Sequence, residues 1–410
     1  MRILICGLNF APEVTGTGKY TTELAEYLVE QGNSVRVITA PPYYPQWKKP
    51  DQYKGVHFQV ENWKGIELFR CPIYVPENPT GLKRIFHLGS FGLTSSLELL
   101  DQIPWKPEIV FTVAPTLLSA PAVFLYSKSV KAVSWLHIQD FELEAALGLS
   151  MLPGKQLFYP VAEKFEESIL GLFDVCSTIS KRMLESLRGK KVPVEKLYLL
   201  PNWVDTNQIH PLDHQSPLRG ELNIPEGKFV IQYSGNMGNK QGLDTIIEAA
   251  KLLENNKDIF FLLSGEGSSK ETLINAAQGL GNLSFVPLQP TEKLNQLLNA
   301  ADIHVLPQKA DAEDAVMPSK LTGMMASGKP TIASALPGTE IARELSKVIR
   351  IIPPGDPKAL ADEINQFYYN PNSRQEYGDL GRAYAQNNWS KENILEGVLV
   401  KFQHLIKKEA

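Results

Sequence analysis

Only three cysteines, Cys6, Cys71 and Cys176, occur in 410 residues. They are far apart, odd in number and set among apolar neighbours, with no C-x-x-C pair and no Cys/His spacing of a metal site. That argues against a disulfide scaffold or a structural zinc, and for reduced, buried thiols in a cytoplasmic protein. A surplus of positive charge is missing too. Lys and Arg total 41 against 45 Asp and Glu, a net charge of −4, so nucleic acid is not the expected partner. Long apolar runs are scarce. Arg2 is followed only by Ile3 to Leu8 before Asn9, too short a stretch for the centre of a signal peptide. The segment 109–127 carries no charge and approaches spanning length, but Thr112, Pro115, Thr116, Ser119 and Pro121 interrupt it. A strand, a proline-bearing loop and a helix account for it better. The familiar phosphate motifs are also absent. The loop ending Gly16-Thr17-Gly18-Lys19-Tyr20 lacks the Ser/Thr that follows a Walker A lysine, Glu13 stands where its first glycine would be, and no G-x-G-x-x-G occurs.

What is present is alternation. The chain is 43% hydrophobic and 21% charged, ordinary for a globular protein, and its length suits about two or three domains. Met1–Cys6 reads as a buried strand, Lys19–Gln31 as a helix stopped by Gly32-Asn33, and Val35–Thr39 as the next strand. Similar βα units continue to about Leu200. Asn207–Gly227, polar and containing Pro211, Pro217 and Pro225, then reads as a linker, and a second series of βα units starts at Phe229. The expected architecture is therefore α/β, with two Rossmann-like, doubly wound parallel-sheet domains facing a central cleft. The expected divisions are 1–206, 207–388 and a C-terminal helix within 389–410 that packs back on the first domain.

One stretch organises the rest. Phe229 to Ala250 runs from an apolar strand through Ser234-Gly235-Asn236-Met237-Gly238 into a helical spacing of Leu243, Ile246, Ile247 and Ala250. A glycine turn between strand and helix points backbone N–H groups at one spot and suits a phosphate, with Lys240 able to add a full charge. Equally, Gly235, Gly238 and Gly242 can serve only to make a tight turn. Elsewhere Tyr43 and Tyr44, in the loop 41–47, suit stacking on a sugar or packing on lipid; a surface loop stiffened by proline is the alternative. His137 falls at a strand end, followed by Asp140 and Glu142.

These pieces together resemble the GT-B nucleotide-sugar glycosyltransferases, more narrowly the retaining family 4 enzymes of the colanic-acid and exopolysaccharide type. The segments that carry the likeness are 135–145 (WLHIQDFELEA), 201–205 (PNWVD), 234–243 (SGNMGNKQGL), 306–334 and 336–340 (LPGTE). The resemblance implies a cytoplasmic glycosyltransferase, on or near the inner face of the cytoplasmic membrane. It implies a nucleotide-diphosphate sugar as donor and a saccharide or polyprenyl-diphosphate-linked acceptor, with weak peripheral membrane association. By position it assigns His137 and Lys240 to catalysis. It assigns Gly16, Gly18, Gly235, Asn236, Gly238, Lys240, Glu266, Ser319 and Lys320 to the donor, and Asp140, Glu142, Tyr43 and Tyr44 to the acceptor. No metal and no cofactor is expected.

The chain departs from the family pattern in two places. Where the family places an Arg and a Lys on the diphosphate, Asn236 and Gln241 stand, with Lys240 one residue early and Lys320 as the second candidate cation. The family's two glutamates, separated by seven residues, are replaced by Ala315 and Gly323, leaving Asp311, Glu313 or Asp314 as substitutes. The mechanism implied is attack by the acceptor from the leaving-group face, the departing phosphate accepting its proton while domain closure keeps water out. A nucleotide-sugar epimerase of the same layout and a non-catalytic nucleotide-sugar binder are the competing readings.

Overall fold

A computed structural model describes residues 1–13, 16–44, 46–55, 57–79, 81–115, 117–141, 155–310 and 317–409. The chain divides into two compact units, Met1–Pro201 with Ile394–Ala410, and Asn202–Asn393.

The first unit is built on an eight-stranded sheet, counted over the described residues. Its strands are β1 (Arg2–Gly7), β2 (Ser34–Thr39), β3 (Gln59–Trp63), β4 (Ile66–Arg70), β5 (Ile109–Ala114), β6 (Val133–Ile138), β7 (Val175–Thr178) and β8 (Leu197–Leu199), in the order 3-4-2-1-5-6-7-8. Central strands need apolar side chains on both faces when helices cover both, and Ile3, Leu4, Ile5 and Cys6 are all fully buried. The edge is different. Residues 55–74 read only as irregular strands, whereas β3 and β4 pair antiparallel, Trp63 opposite Ile66. Lys64 and Gly65 between them both have positive φ, the two-residue turn whose twist suits a hairpin. The uncharged segment 109–127 divides into β5 and the helix Ala120–Val130, and among the described residues no helix is long and apolar enough to cross a membrane. The final helix, Lys391–Glu409, contributes Phe402, whose buried ring lies 5.2 Å from Trp135 and 6.0 Å from Phe111.

Among the described residues the second unit carries six parallel strands, β9 (Phe229–Ser234), β10 (Ile259–Ser264), β11 (Leu283–Val286), β12 (Ile303–Leu306), β13 (Thr331–Ser334) and β14 (Arg350–Ile352), in the order 11-10-9-12-13-14. The period of two is visible in the core. Ile231, Tyr233, Ile303, Val305 and Ile332 face one side with Ile246, Ile247, Ile364 and Phe367, while Val230, Phe260 and Leu262 pack on the other. The polar stretch 207–227 is laid onto this unit instead of running free. Leu212 N–H donates to Asn299 Oδ1 at 3.0 Å, Ser216 Oγ–H to the Gln296 carbonyl at 2.7 Å, and Leu218 is fully buried. Its polar groups are partners for the helix Leu294–Asn299, which composition alone cannot distinguish from exposure to water. Ser390, just before the final helix, forms a β-bridge with Val204.

In both sheets the chain winds outward, then returns to the other side of its first strand. The reversals fall between β1 and β5, and between β9 and β12. Open α/β sheets bind ligands beyond the carboxyl ends of strands at such a reversal. The loops after β1 and β9 are therefore the places to look.

Candidate functional site

The loop after β9 is shaped by close approach. Gly235 sits at φ 133°, and a Cβ on it would lie 2.5 Å from Lys320 Cε. The neighbouring loop after β10 supplies Gly265, where a Cβ would fall 1.9 Å from the Gly235 carbonyl oxygen, so only glycine fits. Gly235 N–H donates to the Ser264 carbonyl and Met237 N–H to the Glu266 carbonyl, each at 2.8 Å. Two of the turn's amides are thus committed to the next strand's loop. The alternate amides, of Asn236 and Gly238, have no partner among the described residues. The turn does not run straight into a long helix, as its sequence suggests. A one-turn 3₁₀ helix, Asn239–Gln241, and Gly242 at φ 63° intervene before the helix Asp244–Leu252. The Lys309 ammonium donates to Asn239 Oδ1 at 2.9 Å, so the loops after β9 and β12 meet across the sheet reversal.

Lys320 opens the helix Lys320–Ala326 and reaches into this turn. Its Nζ donates to the Tyr233 hydroxyl at 2.6 Å and to Gln241 Oε1 at 3.1 Å, and stands 4.6 Å from the centre of the Tyr233 ring. The Tyr233 hydroxyl in turn donates to the Asn236 carbonyl at 2.6 Å. Among the described residues none of the ammonium's partners is a carboxylate. Burial lowers Lys320 from the ordinary lysine value to about 8, and no neighbouring charge opposes the shift. A desolvated cation with neutral partners, beside unpartnered amides, is chemically suited to an anion.

The other donor candidates are placed less centrally. Lys240 is exposed, and its ammonium has no partner among the described residues; its carbonyl accepts from Lys309 N–H at 3.4 Å. Glu266 reaches the turn through its backbone, while its carboxylate pairs with Lys270 at 2.6 Å. Ser319 is exposed and its carbonyl accepts from the Thr322 hydroxyl at 2.8 Å. Gly323, where the family pattern has a glutamate, faces Leu298 Cδ1, which would lie 3.3 Å from an added Cβ. Asp311, Glu313, Asp314 and Ala315 lie outside the described residues, as does Glu142.

In the first unit the loop after β1 is tied by a residue whose role the sequence did not disclose. Glu13 is buried; its Oε1 accepts from Tyr43 N–H at 2.7 Å and Tyr44 N–H at 2.8 Å, and its Oε2 from Asn9 Nδ2 at 2.7 Å. Burial raises its pKa, partly opposed by those hydrogen bonds and by Arg70. At Gly18 an added Cβ would crowd Glu13 Cβ at 3.3 Å, and Gly16 starts the helix Gly16–Glu30 at φ 61° with the Tyr44 ring nearby. Tyr43 is buried, its ring 5.4 Å from Trp47 and 4.7 Å from His87, so it is not open to a ligand; Tyr44 is 40% exposed and is. His137 is the penultimate residue of β6 and is buried. Nδ1 is 2.9 Å from Ser177 Oγ, Nε2 is 3.0 Å from Gln139 Nε2, and the ring stacks at 5.8 Å on Phe111. Burial lowers its pKa to about 3, so the ring is neutral at physiological pH. With Gln139 donating to Nε2, the ring proton rests on Nδ1, toward Ser177. Asp140 is exposed at the strand's end.

Two open α/β sheets, each in its own unit, are the layout of the GT-B class of fold. Sucrose-phosphate synthase from Thermosynechococcus elongatus superposes with a TM-score of 0.75 at 19% identity, covering 99% of each chain. Anabaena HepE in complex with UDP does so with a TM-score of 0.70 at 14% identity, over 98% of this chain and all of that one. Residues 15–203 match the glycosyl transferase 4-like domain and residues 215–384 the glycosyl transferases group 1. Over 405 residues the chain is 40% identical to the putative colanic acid biosynthesis glycosyl transferase WcaI of Escherichia coli strain K12, covering 96% of this chain and 98% of that protein. The chain belongs to the group 1 glycosyltransferases: it is an enzyme that moves a sugar from a nucleotide-sugar donor to an acceptor.

Proposed function

We propose that the second unit holds a nucleoside-diphosphate sugar with its diphosphate at Lys320 and the amides of Asn236 and Gly238, and that transfer retains the anomeric configuration. The observation that carries this reading is the Lys320 ammonium, held at the glycine turn by Tyr233 and Gln241 without a carboxylate. As the bond from the anomeric carbon to the diphosphate oxygen breaks, negative charge grows on that oxygen, and a cation already aimed there stabilises the transition state more than the ground state. The acceptor hydroxyl forms its bond on the same face, and its proton passes to the departing phosphate oxygen. That route needs no nucleophilic carboxylate of the kind a retaining glycosidase uses. The neutral, doubly hydrogen-bonded His137 fits a supporting role, holding Gln139 at the end of β6.

The acceptor is a saccharide carried on polyprenyl diphosphate, used in assembling a cell-surface polysaccharide at the inner face of the cytoplasmic membrane. The relation to WcaI supports the polysaccharide setting. The helix Gly81–Asp101 supports the membrane setting. Leu82, Ile85, Phe86, Leu93, Leu97 and Leu100 are exposed along it, with Lys83 and Arg84 at its start, a pattern suited to an anionic bilayer.

Thermal unfolding with UDP, GDP and ADP and their sugars tests the donor site, because a ligand of the folded state raises the midpoint by mass action. At least one should stabilise the wild type and lose its effect in Lys320→Ala. Stabilisation by none of them would remove the reading. For retention, the anomeric configuration of the product, read by NMR, should match that of the donor.

A further inference from the structure

Lys320 is unusual less for its position than for the company it keeps. Partly buried lysines ordinarily acquire a carboxylate, which settles their charge and leaves little for a ligand. Here both hydrogen-bond partners are neutral acceptors. Gln241 offers its amide oxygen at 3.1 Å, and Tyr233 offers its hydroxyl at 2.6 Å, with the ring centre 4.6 Å away beyond it. The Tyr233 hydroxyl spends its own proton on the Asn236 carbonyl, so toward Lys320 it can only accept. Burial raises the phenol's pKa, which keeps that proton in place. The bond to Asn236 has a second effect. It joins the ammonium to the backbone of the glycine turn, where Gly235 leaves room for the lysine's methylenes. The position of the charge and the conformation of the turn are therefore set together.

We propose that Tyr233 and Gln241 form a charge-free cradle that positions the Lys320 ammonium for the donor diphosphate, and that both are positioning residues of the transfer reaction. This rests on the reading that the diphosphate binds at this turn. The two residues aim the cation without neutralising it. A carboxylate at 241 would have the reach of glutamine and would pair with Lys320, removing the charge the diphosphate uses. Phenylalanine at 233 would keep the ring but remove the hydroxyl that accepts from Lys320 and donates to Asn236.

Titration calorimetry on the full chain decides the matter, using UDP, GDP and ADP, each beside its own nucleoside. Gln241→Glu should weaken the bound diphosphate at least about tenfold, and Tyr233→Phe by a smaller factor, since hydrogen bonds to charged groups carry effects of that order. Nucleoside affinity should stay within about twofold in both, which separates aiming a charge from general damage to the fold. Diphosphate affinity unchanged in both variants, with Lys320→Ala still losing it, would overturn the cradle and leave the lysine's role standing. If the wild type binds no diphosphate, the underlying donor reading falls, and the cradle with it. Loss of nucleoside and diphosphate binding together would also overturn the proposal, because the residues would then act on the fold.

Discussion

The Lys320 ammonium and the Tyr233 hydroxyl, 87 positions apart in the chain, meet at 2.6 Å beside the Gly235 turn. The contact exists because β9 and β12 are neighbours across the sheet reversal, which brings the segment after β12 to the end of β9. An aliphatic or amide substitution of Lys320 would leave the turn in place but remove its charge.

The charge carries a pH signature. In the folded state Lys320 titrates at about 8, against an ordinary lysine value of 10.5. Holding it protonated therefore opposes folding below pH 8, and the opposition fades as pH rises from 8 through 10.5. Lys320→Met should be more stable than wild type at pH 7 in the absence of ligand, and the gap should close by pH 10.5. Urea midpoints across that range measure it. Diphosphate affinity of the wild type should fall above pH 8, as the ammonium is lost.

His137 predicts the opposite limb. Its pKa of about 3 in the fold lies below the ordinary histidine value of 6.5, so its contribution to stability is complete above pH 6.5 and is lost as pH falls toward 3. His304, also buried and lowered to about 3, behaves alike. His137→Gln should flatten part of the acid-side loss of stability. It should leave the pH dependence of kcat/KM between 6 and 8 unmoved, because the ring does not titrate there.

Glu13 joins the loop after β1 to the aromatic loop through two hydrogen bonds and accepts a third from Asn9 within its own loop. Glu13→Gln replaces one acceptor oxygen by a donor that must face either Asn9 Nδ2 or the two tyrosine amides. The expected loss is about 1–3 kcal/mol of stability, the range for an unsatisfied buried partner. Donor affinity, belonging to the other unit, should not change; acceptor KM should rise.

Gly265→Ala places a methyl group 1.9 Å from the Gly235 carbonyl oxygen, a contact that forces backbone to move. Destabilisation of roughly 2 kcal/mol or more is expected, in the class of strained backbone changes. Nucleoside-diphosphate affinity should fall with it. A variant with wild-type melting and wild-type affinity would show that the two loops need not interlock.

For the membrane surface, the pair Leu82→Glu and Phe86→Glu should reduce sedimentation with anionic vesicles while leaving donor binding intact. Adding salt should weaken wild-type binding in part, through Lys83 and Arg84, and leave an apolar remainder. Equal binding to neutral and anionic vesicles would argue that the basic pair has no part in it.

Much of this was legible before any coordinates. The apolar runs Ile3–Cys6, Ile109–Val113 and Phe229–Tyr233 are central strands, since only a sheet covered on both faces buries every residue of such a run. The prolines in 109–127 favour a strand and a helix over a span, and the segment divides into Ile109–Ala114 and Ala120–Val130. The hairpin β3–β4 is harder to see: β3, at the sheet edge, is polar and buries no residue fully, so its period is faint, and the turn uses a lysine at positive φ. Within the site, the glycines of 235–238 announced a turn, and the G-E-G at 265–267 after an apolar strand was a signal that could have located its partner loop.

Local chemistry decides local structure, so the order of strands and helices, the glycine turn and the inventory of cations could all be read along the chain. Which cation reaches the turn could not. Lys240, adjacent in sequence, is exposed, because the 3₁₀ turn at Asn239–Gln241 leaves it at the surface. Lys320, distant in sequence, is drawn in by Tyr233 and Gln241. Equally, His137 reads as a reactive group at a strand end and is in fact a neutral ring enclosed by Ser177, Gln139 and Phe111. Burial, hydrogen-bond partners and pKa arise from groups that the winding of the sheet brings together, and that winding is a property of the folded whole.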